Sequence, residues 1–223
     1  MKAIYLILGS LLLFSTENFA QEYRKIHGDT LTQIKITSGY YIENSFLQKS
    51  PEFLYTRGGY IVTRNSKKIA LEFNSQFPLD SLRTISFPDL SAFTAVPSNP
   101  QVLDGAWLMG GRVRDGKTSM RDTSGPRKTL KLLFNGTFQW VAFNTAGMKF
   151  MGTGGGTYSA VKNQYNEEIA FFSRDSSRVG AILTFNYSLI EGAWHHKGLS
   201  SKGQPIHEIW IQRPPQALAS LLK

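Results

Sequence analysis

Alternating apolar and polar positions dominate the second half of the chain, and this two-residue period is typical of strands with one buried face. In the segment Val179–Ile190, for example, Leu183, Phe185 and Tyr187 share one face, and a mixed set of residues occupies the other. Turn-forming residues separate such segments, and Asn135-Gly136 is a dipeptide that favours a two-residue hairpin turn. The pattern predicts eight strands, at Gly105–Arg112, Thr129–Phe134, Thr137–Asn144, Lys149–Ala160, Tyr165–Arg174, Val179–Ile190, Ala193–Lys197 and Ile206–Arg213.

Eight antiparallel strands joined mostly by short turns favour a closed up-and-down β-barrel, because closure leaves no strand edge unpaired. No segment shows a helical period, so the predicted fold class is all-β. The barrel is predicted to span residues 102–213, after a proline-containing linker at 89–101. A flexible tail is predicted at 214–223, since two consecutive prolines end the last strand.

The first half of the chain contains a shortened copy of part of this barrel. A shift of 97 residues places Gly39–Gly59 on Gly136–Gly156, with matching glycine and phenylalanine positions, and a further slip of two residues places Phe73 on Phe172. Such self-similarity indicates an internal duplication. Residues 21–88 are therefore predicted to form a smaller related partial barrel or an open antiparallel sheet.

Residues 1–20 have the three parts of a cleavable secretory signal. Lys2 supplies the positive start, Ile4–Phe14 is an apolar run, and Ala20 is a small residue at the expected cleavage site. The apolar run is shorter than the roughly 20 residues needed to cross a bilayer, and an uncleaved N-terminal anchor is the alternative. We therefore expect an exported protein, periplasmic or extracellular, without a transmembrane span.

Cysteine is absent from the 223 residues, which excludes thiol catalysis and thiolate metal sites. The formal net charge is +9, from 25 Lys and Arg against 16 Asp and Glu. This excess indicates either a solvated surface or attraction to anionic lipids, polysaccharide or nucleic acid. Nucleic acid is not an expected partner, because the export signal and the lack of a long basic run argue against it. The densest basic groups are Arg112, Arg114, Lys117 and Arg121, and then Arg127, Lys128 and Lys131.

Two signatures at the ends of the predicted barrel resemble those of the lipocalin-like (calycin) superfamily. Gly105-Ala106-Trp107 resembles the Gly-x-Trp sequence of the first strand, and Arg213 stands near the end of the last strand. The resemblance implies a lipocalin-like barrel in which Arg213 packs over Trp107, so that Gly105, Trp107 and Arg213 are structural residues. The chain also resembles a group of uncharacterised bacterial secreted proteins without a known activity. The motifs of that second resemblance include Phe138-Gln139-Trp140, Gly152–Tyr158 and Trp194-His195-His196.

Aromatic residues on neighbouring predicted strands are the main candidates for ligand binding. An eight-stranded barrel is either filled by such side chains or holds one small ligand, and the sequence leaves both open. Arg174 is a candidate for recognising a carboxylate or phosphate at the barrel mouth, or else forms a local ion pair with Asp175 in a turn. The candidate ligand-binding residues are Phe138, Trp140, Tyr158, Phe172, Arg174, Tyr187 and Trp210.

Catalytic chemistry finds little support in the sequence. The run Gly152–Gly156 lacks the Lys-Ser/Thr pair and the helix that follow a phosphate-binding loop, and it is more typical of a β-bulge. His196 and His207 are predicted to lie opposite each other in the last hairpin and are weak candidates for a metal site, with no third ligand evident. No catalytic residue and no cofactor is predicted.

Three functions are compatible with these patterns. The leading hypothesis is an exported, non-enzymatic binding protein that holds a small apolar or amphipathic molecule, or a cell-envelope component, in its barrel. The second is a structural or protein-interaction module of the cell envelope, with a barrel filled by side chains and with sheet edges offered to a partner. The third is an enzyme or metal site that uses His196 and His207.

Overall fold

The structure of the protein is a computed structural model, and it describes residues 21–37, 39–50, 52–63 and 68–214. The predicted signal peptide lies outside the described residues, as does the predicted tail apart from Pro214. Within the described ranges, no helix has the length and apolar character needed to cross a membrane. The helical segments there are short: α1 (Phe77–Asp80) and two 3-10 turns at Thr145–Gly147 and Ser176–Arg178.

The N-terminal half folds into an open antiparallel sheet. Its seven strands in the described residues are β1 (Gln21–His27), β2 (Thr30–Thr37), β3 (Tyr40–Leu47), β4 (Phe53–Thr63), β5 (Lys68–Asn74), β6 (Thr84–Ser86) and β7 (Thr94–Ala95). The strands follow one another across the sheet from β1 to β6, and β7 returns to pair with β1. Both edges of the sheet are short, since β6 has three residues and β7 has two.

The C-terminal half forms a closed antiparallel barrel. Its strands are β8 (Gly105–Arg114), β9 (Lys117–Met120), β10 (Arg127–Phe134), β11 (Thr137–Asn144), β12 (Lys149–Val161), β13 (Gln164–Phe172), β14 (Ile182–Ile190), β15 (Ala193–Leu199) and β16 (Pro205–Gln212). β8 pairs with β16 along one edge and with β10 along the other, which closes a circle of eight strands. β9 forms a hairpin with the end of β8, outside that circle. The predicted all-β fold, an eight-stranded barrel preceded by an open sheet, is confirmed.

The turn between β10 and β11 shows how a local sequence sets the strand pairing. Asn135 and Gly136 have φ angles of 58° and 75°. Both residue types tolerate this left-handed region, and a two-residue turn of this kind matches the twist of the strands it joins. Phe134 and Thr137 consequently pair on either side of the turn, as the sequence predicts.

One face of the N-terminal sheet packs against the outer wall of the barrel. Leu130 and Leu132 of β10 point outward into this interface, whereas Lys131 and Leu133 point into the barrel. β10 is therefore buried on both faces, and the apolar area removed from water holds the two halves together. The buried apolar residues of the interface are Tyr40, Ile42, Tyr60 and Phe73 from the sheet, and Leu108, Leu130, Leu132, Val141 and Phe143 from the barrel.

Phenylalanine rings make the same contact twice across this interface. Phe46 of β3 stacks on Phe171 of β13 with ring centroids 4.7 Å apart, and Phe143 of β11 meets Phe73 of β5 at 4.9 Å. Phe46 corresponds to Phe143 in the sequence repeat. Phe73 corresponds to Phe171 rather than to the expected Phe172. Phe73 pairs with Gly58 and Phe171 pairs with Gly155, and these two glycines are equivalent in the repeat. Two copies that exchange contacts in this way pack about an approximate two-fold axis, as the subunits of a symmetric dimer do.

The repeated glycines occupy the same irregularity in both sheets. The strand register shifts between Gly58 and Gly59 in β4, and between Gly155 and Gly156 in β12. At each second glycine, a Cβ atom would lie 1.9 Å from a carbonyl oxygen of the adjacent strand. These bulges therefore require glycine, in agreement with the interpretation of Gly152–Gly156 as a bulged strand.

Side chains from the segment that connects β5 to β7, among them Phe77 and Phe87, pack on the other face of the N-terminal sheet. Leu90 and Phe93, which belong to the predicted linker at 89–101, pack into an apolar cluster on that face. β7 then adds two residues to the sheet by pairing with β1. The connecting segment thus contributes to the core of the N-terminal half before it reaches the barrel.

Arg213 connects the barrel to the N-terminal sheet. Its Nη2 lies 2.9 Å from Oε1 and 2.8 Å from Oε2 of Glu72, and its guanidinium stacks on two tyrosine rings of the sheet. The resemblance implied that Arg213 would pack over Trp107, but Trp107 lies inside the barrel and the guanidinium lies outside it. The physical reason is the alternation along β16, which turns Trp210 inward and Arg213 outward.

Candidate functional site

The barrel is hollow at one end and filled at the other. At the hollow end, where β8 ends and β10 begins, a cavity of about 290 Å³ opens between the strands, and we call it the barrel cavity. This volume lies at the lower limit for pockets that hold small ligands. Its apolar walls include Phe138, Trp140, Phe172, Leu183, Phe185 and Trp210. Its charged or ionisable lining includes Arg112, Lys131, Glu167, His196 and Glu208.

Tryptophan side chains fill the opposite end of the barrel. Trp194 stacks on Trp210 with ring centroids 5.9 Å apart and meets Trp107 edge-on at 5.7 Å. Leu103 is fully buried at this end, and its carbonyl oxygen accepts a hydrogen bond from Nε1 of Trp107 at 2.9 Å. The Gly105-Ala106-Trp107 start of β8 therefore closes this end of the barrel. Of the two alternatives left open by the sequence, side chains fill this end and a cavity occupies the other.

A buried ion pair lies at the floor of the barrel cavity. Nζ of Lys131 is 2.5 Å from Oε1 of Glu167, and both side chains are less than a tenth exposed. The hydroxyl of Tyr165 donates a hydrogen bond to the same oxygen at 2.8 Å. Burial, and then the charge of Glu167, raise the pKa of Tyr165 far above its ordinary value, so that the hydroxyl stays protonated and remains a donor.

Aromatic rings surround the ammonium group of Lys131. Four ring centroids lie 5.3 to 5.5 Å from Nζ. The faces of aromatic rings carry partial negative charge, and they stabilise a cation most where water is excluded. Lys131 thus marks the boundary between the filled end and the cavity. The rings are those of Phe138, Tyr165, Trp194 and Trp210.

His196 of β15 is buried beside the ion pair without a hydrogen-bond partner. It is 2% exposed, and neither ring nitrogen has a partner among the described residues. Nδ1 lies 3.7 Å from Oε2 of Glu208, which is beyond hydrogen-bond distance. Burial, and then the charge of Lys131, lower the pKa of His196, so the ring is neutral at neutral pH. A neutral imidazole has one donor and one acceptor, and here both nitrogens are buried just behind the cavity wall.

Glu208 of β16 links the interior of the cavity to its opening. Oε2 accepts a hydrogen bond from Nε1 of Trp210 at 3.2 Å, and Oε1 lies 3.3 Å from Nη2 of Arg112. Burial acts to raise the pKa of Glu208, but the dipole of the His196 ring, with Nδ1 3.7 Å from Oε2, and then the charge of Lys131 more than offset it, and the pKa lies below its ordinary value. The ionised carboxylate therefore holds Arg112, whose side chain is 51% exposed, at the cavity opening.

The sequence-predicted ligand-binding residues fall into two groups. Tyr158 lies toward the filled end, where its hydroxyl donates a hydrogen bond to Asp104. Tyr187 packs against the barrel core without lining the cavity. Arg174 does not line the cavity, and its Nε donates a hydrogen bond to the carbonyl oxygen of Met151 at 2.6 Å. The residues that do line the barrel cavity are Phe138, Trp140, Phe172 and Trp210.

The two histidines predicted to face each other lie on opposite sides of the barrel wall. In the last hairpin, His196 pairs with Glu208, and Lys197 pairs with His207. A one-residue difference in register reverses the face of a side chain, so His196 points inward and His207 outward. His207 instead meets His195, whose Nδ1 is 3.1 Å from its Nε2. Two imidazoles fall short of a zinc site, and no cluster of three metal-ligating residues occurs in the described part of the chain.

Four charged residues of the cavity, Arg112, Lys131, Glu167 and Glu208, were not predicted from the sequence as site residues, and the two carboxylates among them carried a usable signal. Glu167 shares its strand face with the inward aromatic Tyr165, and Glu208 shares its face with Trp210, so alternation alone places both carboxylates inside. Lys131 carries no such signal, because the leucines on either side of it favour the opposite orientation. Its inward position follows from the packing of the N-terminal sheet on the outside of β10.

Comparison with known proteins adds nothing to this geometry. No protein-family model matches the chain, and no curated protein matches it.

Proposed function

We propose that the protein binds one small amphipathic molecule in the barrel cavity and acts as a binding protein rather than an enzyme. The observation that carries the proposal is a cavity of about 290 Å³ whose wall includes His196, buried and without a hydrogen-bond partner among the described residues. Buried polar groups in proteins almost always have partners, and leaving one unpaired costs about 1–3 kcal/mol. A ligand with a hydrogen-bonding group supplies that partner once a small rotation of the ring turns one of the two covered nitrogens toward the cavity.

The rest of the cavity supports a compact apolar ligand body. Trp140 and Phe172 meet edge to face with ring centroids 5.3 Å apart, and they form a rigid aromatic wall. An apolar lining with a few placed polar groups is the usual composition of small-molecule pockets. The stacked Trp194 and Trp210 limit the depth of the cavity, which favours a ring-sized body over a long extended chain.

The two other functions considered from the sequence have weaker geometric support. The edge strands β6, β7 and β9 offer three, two and four residues, which is little backbone for a partner strand to pair with. An enzyme that uses His196 and His207 together has no support, because the barrel wall separates the two rings.

We also propose that the protein is exported with residues 1–20 removed, and that its barrel is related to the lipocalin-like superfamily. The charged start, apolar run and small residue at Ala20 support export, and the eight-strand circle that begins at Gly105-Ala106-Trp107 supports the relationship. N-terminal sequencing of protein recovered from the envelope or medium of expressing cells tests export. A mature N-terminus near residue 21 is expected, and retention of Met1 contradicts it.

Titration with the neutral fluorescent probe N-phenyl-1-naphthylamine tests the binding proposal. A saturable, one-to-one rise in probe emission is expected. Leu183→Trp places a larger side chain in the cavity and should abolish this signal. Ile182→Trp lies on the outer face of the same strand, where the residue is 70% exposed, and this matched control should bind like the wild-type protein. Equal binding by the two variants would place the probe outside the barrel and refute the proposal.

A second pair of ligands tests the role of His196. 1-Naphthol and naphthalene have the same ring system, and the first of them adds one hydroxyl group. His196→Phe removes the donor and acceptor from the wall. It should lower the affinity for 1-naphthol by about tenfold and change the affinity for naphthalene little. Calorimetric displacement of the neutral probe measures both affinities. An equal change for the two ligands would show that His196 makes no polar contact with the bound molecule.

A further inference from the structure

Basic side chains line a second cavity beside the opening of the barrel cavity. The hairpin of β8 and β9, together with the start of β10, encloses about 420 Å³. No acidic side chain among the described residues lines this space, which we call the basic groove. Its cationic residues are Arg112, Arg114, Lys117, Arg121 and Arg127.

The basic groove and the barrel cavity share part of their walls. Met109, Arg112 and Thr129 line both spaces. Arg112 stands at the boundary, where Glu208 contacts it from the barrel side. The barrel cavity therefore borders directly on the basic groove.

The positive charges of the groove lie close together and have few counter-ions. Arg121 is held in place by a hydrogen bond from its Nε to the carbonyl oxygen of Met109 at 2.6 Å. Burial, and then the charges of Arg112 and Arg127, lower the pKa of Arg121, as expected where cations repel one another. Of the five cations, Arg112 alone has a salt bridge within the described ranges. Asp122, next to Arg121 in the chain, is engaged by the turn that follows it.

We propose that the basic groove binds an oxyanion at one end of the ligand whose apolar part fills the barrel cavity, an inference that rests on the proposed function. A carboxylate, sulfonate, sulfate or phosphate matches the forked donors of guanidinium groups and the charge of the groove. A cationic end group would be repelled there. The ligand class is thus an anionic amphiphile with a compact, ring-sized apolar body.

Two probes that differ by one sulfonate group test the inference. 1-Anilinonaphthalene-8-sulfonate carries the sulfonate, whereas N-phenyl-1-naphthylamine has the same rings without it. At low ionic strength the sulfonate probe is expected to bind about tenfold more tightly, because guanidinium groups form charge-assisted hydrogen bonds with the sulfonate. High salt should abolish this preference by screening the groove, and it should change the affinity for the neutral probe little.

A charge-matched pair of variants shows where the preference arises. Arg114→Gln/Arg127→Gln should remove the preference for the sulfonate probe and leave the affinity for the neutral probe unchanged. Lys25→Gln/Lys162→Gln removes the same net charge outside the groove and should retain it. The inference is overturned if the wild-type protein binds both probes equally, or if both double variants lose the preference for the sulfonate probe equally. In either case, one-to-one binding of the neutral probe still supports the proposed function. If neither probe binds, the proposed function fails and the inference fails with it.

Inorganic phosphate separates a free oxyanion from the end group of an amphiphile. At constant ionic strength, phosphate should displace the sulfonate probe only at concentrations about a hundredfold or more above those of the probe, because phosphate lacks the apolar body. Displacement at equal concentrations would identify the groove as a site for a free oxyanion and would overturn the proposal of one ligand that occupies both spaces.

Discussion

Replacing Lys131 by methionine leaves the carboxylate of Glu167 inside the barrel without the ammonium group that lies 2.5 Å from it. The two side chains are 5% and 7% exposed, so water compensates poorly for the lost charge. Loss of one partner from a buried pair costs about 3–5 kcal/mol, against about 0–1 kcal/mol for an exposed pair. The hydrogen bond from Tyr165 to Glu167 remains. We therefore expect Lys131→Met to lower the free energy of unfolding by about 3–4 kcal/mol.

The double variant Lys131→Met/Glu167→Gln removes both charges and keeps an acceptor for Tyr165. Replacing both members of a buried pair by neutral side chains of similar volume is often close to neutral, so this variant should recover about 2 kcal/mol or more of the loss. Equilibrium unfolding in urea, followed by the emission of the buried tryptophans, measures both free energies. A loss of less than about 1 kcal/mol in the single variant, or a double variant no more stable than the single one, would show that this ion pair is not effectively buried.

Gly156→Ala should lower the free energy of unfolding by about 3 kcal/mol or more, because the added Cβ would lie 1.9 Å from a backbone oxygen. Gly147→Ala is the control: its added Cβ meets nothing within 4 Å, and the free energy of unfolding in the same urea assay should change little. Burial lowers the pKa of His196 below its ordinary 6.5, so the unfolded chain binds the proton more readily than the folded chain. The contribution of the neutral ring to the free energy of unfolding should therefore be fully present above pH 6.5 and decrease as the pH falls below it. His196→Phe should flatten that part of the pH profile, and an unchanged profile would contradict the assignment. Arg213→Lys keeps a charge beside Glu72 but loses the stacking on two tyrosine rings, so it should cost about 1–2 kcal/mol; an unchanged urea midpoint would argue against the stacking.

Local patterns were sufficient to predict most of the barrel. Strand alternation is a property of neighbouring residues, and turn dipeptides such as Asn135-Gly136 act over four positions, so both are readable without knowledge of distant contacts. The aromatic candidates Phe138, Trp140 and Phe172 line the cavity for the same reason. Tyr158 shares the inward face but lies nearer the filled end, and distance along the barrel axis is not encoded in alternation.

For the internal repeat, too, the sequence predicts the local features but not the packing of the two copies. The glycine pairs and phenylalanine positions are visible as a 97-residue offset, and their bulged strands follow from the close backbone approach that only glycine allows. That the two copies pack face to face is a different matter. It depends on Phe46 meeting Phe171, and Phe73 meeting Phe143, across a large separation in the chain.

The amino-acid sequence by itself determined the strands, most of their turns, the bulges and the all-β class, because these depend on interactions among near neighbours. Tertiary structure decided which charged groups meet. One residue of hairpin register placed His196 inside and His207 outside, and the N-terminal sheet covered the leucines of β10 and so turned Lys131 into the barrel. Alternation assigns residues to two faces, but it does not say which face is interior when both are buried, or which distant side chains share a cavity.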